Sequence, residues 1–130
     1  NICCLYPTAP LVQKKDLING YDALSNFEAS LPIVKYDFPV LRSFKIKDGL
    51  VKFRWPEHMD SRSQDLEAFY HDAGQWYWIQ SKAIRKYWNN LNTLITPFTK
   101  PIILNSLQVQ DIDDLDDWKL AQIKYDLLNY

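Results

Sequence analysis

The chain has 130 residues, of which 47% are hydrophobic and 15% aromatic, and its 15 Lys and Arg against 16 Asp and Glu give a formal net charge of -1. This length and apolar content exclude a disordered protein and allow a buried core without disulfides or a structural metal. The charge balance argues against a nucleic-acid-binding protein, because phosphate binding requires a clustered surplus of Lys and Arg.

Localisation can be predicted from apolar runs and cysteines. No run approaches the roughly 20 apolar residues of a membrane span, and the N-terminus lacks the layout of a secretory signal. Cys3 and Cys4 are adjacent in a strand-like run, where a disulfide between them would be strained. We therefore expect reduced core thiols and a cytoplasmic protein that does not bind a membrane. Because the chain begins directly at an apolar run, we also expect that an N-terminal portion is missing from this sequence.

The first forty residues predict a β-α-β unit. Ile2–Tyr6 is a continuous apolar run stopped by the Pro-Thr-Ala-Pro segment 7–10, which is typical of a strand buried on both faces in a parallel sheet. Apolar residues then recur at helical spacing from Asp16 to Phe27, with Gly20 as a weak point of the helix. Leu31–Tyr36 predicts a second strand after this crossover helix.

A hairpin interrupts this pattern. Val40–Lys47 and Leu50–Trp55 are strand-like runs joined at Asp48-Gly49, a dipeptide typical of a tight turn. With the polar loop that follows, the hairpin predicts an insert over 38–68 in a single α/β domain of residues 1–130. The remaining elements predicted are a strand over Gly74–Ile79, a helix over Ser81–Leu91 opened by a serine cap, a strand over Pro101–Asn105, and a helix over Asp114–Leu128 whose Asp114 and Asp117 are spaced as in a capping box.

The strongest candidate for chemistry is Gln110-Asp111-Ile112-Asp113. In an extended segment, Asp111 and Asp113 point to one side and Ile112 points to the core. Two convergent carboxylates favour Mg²⁺, which completes its shell with water and substrate phosphates. The alternative is that these acids only cap and polarise the following helix, and such Asp-rich helix starts are common. On the residues alone both interpretations stay open.

Two further groups of residues could bind a ligand. The run Tyr70–Trp78 combines polar side chains with aromatic rings, as a sugar pocket does, but it equally fits a strand that enters the core. Near the hairpin, Arg42 and Arg62 stand out among several basic residues as possible partners of a carboxylate or phosphate. The sequence has no phosphate-binding glycine loop, no zinc-like Cys/His spacing and no nucleophile elbow.

Four blocks in this order, spanning nearly the whole chain, resemble the acylneuraminate cytidylyltransferase family. They are Leu-Tyr-Pro-Thr-Ala-Pro-Leu at 5–11, Arg-Ser-Gln-Asp-Leu-Glu at 62–67, Tyr-His-Asp-Ala-Gly-Gln-Trp-Tyr-Trp at 70–78, and Gln-Asp-Ile-Asp at 110–113. The likeness is greatest to the members that use pseudaminic acid. The resemblance implies a Rossmann-like nucleotidyltransferase sheet with a protruding β-hairpin that forms a homodimer. It also implies the reaction, in which the anomeric hydroxyl of a nine-carbon 2-keto sugar acid attacks the α-phosphorus of CTP and releases pyrophosphate.

The resemblance also assigns roles to individual positions. Asp111 and Asp113 match the catalytic acids that hold Mg²⁺, and Thr8 matches the loop beside the nucleotide. Basic residues that relatives present across the dimer to the sugar carboxylate correspond to Arg42 and Arg62, which would therefore act on the other subunit's substrate. The side chains expected to line the sugar are Gln64, Asp72, Gln75 and Tyr77.

Two departures from the family pattern bear on activity. Asp114-Leu115-Asp116 stands where relatives carry Thr-Pro-Glu, and the family's glycine-, arginine- and lysine-rich triphosphate loop has no counterpart here. We therefore expect either a carboxyl-terminal portion of the enzyme or a polypeptide that is inactive by itself. Two alternatives remain: a non-catalytic dimerising module that binds a sugar or a partner, and a cytidylyltransferase for sialic, legionaminic or 3-deoxy-octulosonic acid.

Overall fold

The computed structural model describes residues 1–88 and 94–129, and these residues form a mixed α/β structure in two compact units. One unit contains Asn1–Val34 and the chain from Asp72 onward, and the other contains Lys35–His71. The strands are β1 (Ile2–Leu5), β2 (Ala29–Lys35), β3 (Phe44–Lys47), β4 (Leu50–Phe53), β5 (Tyr70–Asp72), β6 (Trp76–Ile79) and β7 (Thr99–Leu104). The helices are α1 (Lys14–Ala23), α2 (Ser81–Tyr87) and α3 (Leu115–Asn129). None of these described helices has the length and apolar content that a membrane crossing requires.

In the first unit, β6 lies between β1 and β2 and runs antiparallel to both. Cys4 pairs with Tyr77 on one edge of β6, and Ser30 pairs with Trp78 on the other. Strand β7 runs parallel to β2 along its whole length. Strands β1, β2 and β7 therefore point the same way, and α1 connects two strands that are separated by β6. The predicted strands and helix of the β-α-β unit are present, although β1 and β2 do not pair with each other.

The prediction that the first strand is buried on both faces in a parallel sheet is wrong. Strand β1 is antiparallel to its neighbour, and its Ile2 and Leu5 side chains are about half exposed. The buried strand is β2, in which residues 29–32 are all buried between neighbours on both edges. An apolar run predicts a strand, but its burial depends on strands that pair with it from far along the sequence. Both cysteines are free thiols, and Cys4 is exposed, so the prediction of two core thiols is wrong for Cys4.

Close packing of α1 on the sheet depends on Gly20. A Cβ at Gly20 would lie 2.4 and 2.5 Å from two ring atoms of Trp76, which is itself fully buried. The Ser30 hydroxyl donates a hydrogen bond of 2.7 Å to the Gly20 carbonyl, which fixes the same contact from the strand. Gly20 therefore marks the point where the helix backbone meets the core, because only a residue without a side chain fits there.

The helix starts were predicted with mixed success. Ser81 is the first residue of α2 and Gln80 occupies the cap position without a side-chain cap bond, so the predicted serine cap is wrong. Residues 89–91 of that predicted helix lie outside the described residues. For α3 the capping box is confirmed, because the Asp117 N–H donates to Asp114 Oδ1 at 3.0 Å and the Asp114 N–H donates to Asp117 Oδ2 at 3.3 Å.

The second unit contains the predicted hairpin, which is confirmed as strands β3 and β4. Asp48 has a φ of 54° and Gly49 a φ of 72°, so both turn residues adopt the left-handed conformation of a two-residue hairpin turn. The predicted first strand is shorter than expected, because Val40–Arg42 forms a turn of 3-10 helix. The predicted loop contains two more such turns, at Pro56–His58 and Ser63–Asp65.

Candidate functional site

Sheet topology brings three predicted segments to one edge. Because β1 and β7 run parallel to β2 while β6 runs against them, the carboxyl ends of β1 and β7 lie at the same edge as the start of β6. Thr8 lies in the exposed turn after β1, the turn 72–75 precedes β6, and Asp111 follows β7. Ligands of α/β sheets bind beyond the carboxyl ends of the strands. This edge is therefore the candidate site of the first unit.

A tight turn at 72–75 shapes this edge. Gly74 has a φ of 62°, and its N–H donates a hydrogen bond of 2.8 Å to Asp72 Oδ1, as in an Asx turn. The Ala73 N–H donates to the Pro32 carbonyl at 3.1 Å, which keeps the turn against the edge of β2. The turn is thus bonded both to itself and to the central strand.

Tyr77 connects the Asp72 carboxylate to a second tyrosine. The Tyr77 hydroxyl donates a short hydrogen bond to Asp72 Oδ2. The Tyr6 hydroxyl lies 3.5 Å from the Tyr77 hydroxyl, and the centroids of the two tyrosine rings are 5.5 Å apart. Burial raises the pKa of Tyr77 above its usual value, and the bond to Asp72 raises it further. The phenol therefore stays protonated at neutral pH and donates to the carboxylate. Sequence reasoning missed Tyr6, because only the pairing of β1 with β6 brings it here.

The Asp111 side chain lies against this turn. A Cβ at Gly74 would be 4.0 Å from Asp111 Oδ2, while Asp111 Oδ1 accepts a hydrogen bond of 3.1 Å from the Ile112 N–H. Asp111 and Asp113 are both exposed, and Ile112 between them is half-buried. The Asp113 N–H donates to Asp117 Oδ2 at 3.1 Å. The structure therefore brings Asp111 close to the turn 72–75. This turn contains Asp72 and Gln75, and Tyr77 follows it in β6.

The acid pair has the chemistry of a magnesium site. The side chains that cap α3 are those of Asp114 and Asp117, so neither the Asp111 nor the Asp113 carboxylate is needed for the cap. The structure describes residues 1–88 and 94–129, among which Asp111 and Asp113 are both exposed. The same residues contain no group of three or more His, Cys, Asp or Glu that could hold an ion. Mg²⁺ is commonly held by one or two carboxylates plus water and phosphate, so the pair fits this ion.

Gln75 is the one predicted sugar contact that the structure places in the interior. Its side chain is 2% exposed, and its Nε2 donates a hydrogen bond of 2.5 Å to the Gln108 carbonyl. The Gln108 amide donates in turn to Asp16 Oδ2 at 2.9 Å, and both of these residues are buried. A buried polar chain therefore runs from the turn to α1. No pattern in the sequence predicted it.

The other predicted site residues belong to the second unit. Arg42 is exposed at the end of its short turn. The Arg62 guanidinium makes bonds of 2.7 and 3.2 Å to the Asp65 carboxylate, with its side chain 72% exposed. Gln64 lines a cavity of about 290 Å³ whose polar walls include Lys35 and Glu67. These three residues are thus available at the surface of that unit.

The chain is similar in sequence to curated enzymes of one kind. It is 33% identical over 128 residues to the pseudaminic acid cytidylyltransferases of two Campylobacter jejuni subsp. jejuni strains, serotypes O:23/36 and O:2, which covers 96% of this chain and 53% of each enzyme. A Helicobacter pylori protein named pseudaminic acid cytidylyltransferase and UDP-2,4-diacetamido-2,4,6-trideoxy-beta-L-altropyranose hydrolase is 29% identical over 123 residues, covering 92% of this chain and 23% of that protein.

The chain spans about half the length of the two Campylobacter relatives, at 53%. No protein-family model matches it. The similarity nevertheless covers nearly every residue of the chain, and all three relatives carry the cytidylyltransferase name. The resemblance predicted from the motifs is confirmed: this chain is related in sequence to the pseudaminic acid cytidylyltransferases.

Proposed function

We propose that this chain is part of a cytidylyltransferase that transfers CMP from CTP to a nine-carbon 2-keto sugar acid and releases pyrophosphate, with pseudaminic acid as the sugar acid. The observation that carries the proposal is the 33% identity to pseudaminic acid cytidylyltransferases over 96% of the chain. The exposed Asp111 carboxylate beside the turn 72–75, with Asp113 two residues on, supports it, because phosphoryl transfer from a nucleotide requires charge neutralisation by a metal that such acids bind.

Asp111 and Asp113 are the residues that hold the metal in this proposal. Bound there, Mg²⁺ supplies positive charge against the phosphates of CTP and orients them for attack. Neither carboxylate takes part in capping α3, which leaves both available. Thr8 lies at the same edge of the sheet and contacts the nucleotide. The parallel pair β2 and β7 and the crossover through α1 support a Rossmann-like arrangement of this sheet.

The sugar acid binds to polar groups next to the acid pair and to arginines. Asp72 and Tyr77 present a hydrogen-bonded carboxylate and hydroxyl beside the turn. Arg42, Arg62 and Gln64 bind the sugar acid from a second copy of the chain, with the arginines on its carboxylate. Arg62 is paired with Asp65, but an exposed ion pair contributes only about 0–1 kcal/mol and exchanges readily for a substrate carboxylate.

A homodimer formed through the hairpin supplies that second copy. The apolar side chains of the hairpin are open to solvent, with Ile46 79% and Phe44 60% exposed. Apolar surface of this kind marks an interaction site when it is contiguous. The free cysteines support a cytoplasmic location, because thiols stay reduced in the cytoplasm and CTP is present there.

The test uses the full-length enzyme that contains this chain, supplied with CTP and Mg²⁺. We expect pyrophosphate release with pseudaminic acid, and far less with sialic, legionaminic or 3-deoxy-octulosonic acid. Release with one of those acids instead would assign the enzyme to that sugar. Absence of release with every acid, together with absence of Mg²⁺-dependent CTP binding, would replace the proposal with the non-catalytic module.

A further inference from the structure

The Gln75 side chain is buried and hydrogen-bonded within the protein. Its amide donates a hydrogen bond of 2.5 Å to the Gln108 carbonyl, and only 2% of the residue is exposed. A side chain with this burial and this partner contacts a neighbouring segment of its own chain and not a solvent-borne ligand. Removing the amide would leave the Gln108 carbonyl buried without its donor, which is unfavourable.

The segment from Gln108 to Asp111 is bonded by side chains on both sides. Gln108 ends the short turn Ser106–Gln108, where the Val109 N–H donates to the Ser106 carbonyl at 3.2 Å, and residues 109–111 lie between that turn and α3, outside any strand or helix. From one side, the Gln75 amide bonds the Gln108 carbonyl. From the other, the Lys124 ammonium bonds the Val109 carbonyl at 2.6 Å and Gln110 Oε1 at 3.0 Å. The position of Asp111 therefore depends on these bonds.

The same turn that supplies Gln75 also lies near Asp111. A Cβ at Gly74 would be 4.0 Å from Asp111 Oδ2, so the backbone before Gln75 is close to the carboxylate. Gln75 thus bonds the start of one four-residue segment, and Gly74 lies near its end. Residues that orient metal ligands in this indirect way typically change metal affinity by roughly 10–100-fold when they are mutated.

We infer that Gln75 is a positioning residue for Asp111: its buried amide holds the 108–111 segment so that the Asp111 carboxylate stays beside the turn 72–75, and it does not contact the sugar. The inference rests on the proposed metal role of Asp111. It reassigns a side chain that the family resemblance places on the sugar.

The test compares Gln75→Leu with Gln80→Leu in the full-length enzyme. Leucine keeps a similar volume and removes the amide. Gln80 is a matched control, because its Nε2 also donates to backbone carbonyls, those of Leu24 at 2.6 Å and Phe27 at 3.1 Å, away from the acid pair. Two properties are measured: Mn²⁺ affinity in the presence of CTP, by electron paramagnetic resonance, and hydrogen exchange of the amides of residues 109–113.

We expect Gln75→Leu to weaken Mn²⁺ binding by about 10–100-fold, to speed exchange at 109–113 and to leave the KM for the sugar acid within about twofold. Gln80→Leu should change neither metal affinity nor exchange there. If Gln75→Leu does not fold, Gln75→Asn, which withdraws the amide by one methylene, is expected to give the same two changes.

The inference is overturned if Gln75→Leu raises the KM for the sugar acid while metal affinity and exchange stay at the wild-type values. Failure of the proposed function gives a different result, because the exchange measurement requires no turnover. A wild-type enzyme without cytidylyltransferase activity would remove the function, and faster exchange at 109–113 in Gln75→Leu would still support the positioning role.

Discussion

The Tyr77 hydroxyl and the Asp72 carboxylate are joined by a hydrogen bond across the turn that leads into β6. The second carboxylate oxygen of Asp72 accepts the Gly74 N–H at 2.8 Å, so one side chain bridges the strand and the turn. Burial and the carboxylate both raise the pKa of Tyr77, which keeps the hydroxyl a donor throughout the physiological range. This bridge sets the shape of the candidate site at the start of β6.

We predict that Tyr77→Phe loosens the turn. The variant loses a hydrogen bond to a charged group, which lowers the free energy of unfolding by about 1–2 kcal/mol at this half-buried position. It should also raise the KM for the sugar acid more than the KM for CTP. Tyr21→Phe is the matched control, because Tyr21 packs edge-on against Trp78 and is half exposed. Equal changes in the two variants, by denaturant unfolding and by steady-state kinetics, would refute the role of the bridge.

Asp111→Asn and Asp113→Asn should each abolish turnover in the full-length enzyme without lowering its melting temperature. Neither carboxylate caps α3, so the helix keeps its start. Asp114→Ala should do the opposite, because it removes an N-cap that contributes about 1 kcal/mol and leaves the acid pair in place. Pyrophosphate release and thermal melting, measured on all three variants, separate the two roles. Full activity of the Asn variants would show that the two acids do not hold the metal.

Gly20→Ala should lower the free energy of unfolding by about 1–3 kcal/mol, as overpacking of a core does. The new methyl would lie 2.4 Å from the nearest ring atom of Trp76 and 2.9 Å from Trp78. The comparison is Gly49→Ala, where no atom lies within 4 Å and the φ of 72° alone costs about 1–2 kcal/mol. The double variant Gly20→Ala with Trp76→Phe should recover part of the free energy of unfolding that Gly20→Ala loses. Failure of the smaller ring to do so would place the strain elsewhere.

A pH dependence is expected from the ion pair of Glu28 and Lys86, whose charged atoms are 2.9 Å apart. The hydrogen bond from Lys86 lowers the pKa of Glu28, and the same bond raises the pKa of Lys86 to about 12. The carboxylate therefore stabilises the fold above its unfolded pKa of about 4.3, and this stability is lost as the pH falls through its lower folded pKa. The ammonium contributes below its unfolded pKa, and its contribution is lost as the pH rises through about 12.

Glu28→Gln should accordingly make the melting temperature of the full-length enzyme less dependent on pH between roughly pH 5 and pH 3. Differential scanning calorimetry over this pH range measures the effect. Glu57→Gln serves as the control, because Glu57 is exposed and makes no ion pair within the described part of the chain. An unchanged acid slope in Glu28→Gln would show that the pair does not couple folding to protonation.

Local features of this chain could be predicted from sequence, and long-range ones could not. The Asp48-Gly49 hairpin and the Asp114–Asp117 capping box each depend on residues within a few positions of each other, and both are present. The pairing of β1 with β6 joins residues more than seventy positions apart, so the apolar run at the start predicted a strand without its partner or its burial. The same limit applies at the site.

Glutamine is usually exposed, and nothing near Gln75 in the sequence predicts its bond to the Gln108 carbonyl 33 positions away. Asp111 and Asp113 could be proposed as a metal site from sequence because both aspartates lie in one short motif, and that assignment stays a prediction. Their separation from the helix cap required the observed hydrogen bonds of Asp114 and Asp117, since all four residues have the same chemistry.

The placement of β6 between β1 and β2 has a consequence for how the chain acquires its structure. Residues 2–5 pair with residues 76–79 among the strands described, so this pairing cannot form until those later residues have left the ribosome. Pairing of such distant segments is slow, because the intervening loop must first be closed. The contact between β6 and the strand that carries the two adjacent thiols therefore forms later than the β3–β4 hairpin, whose strands are neighbours in the chain.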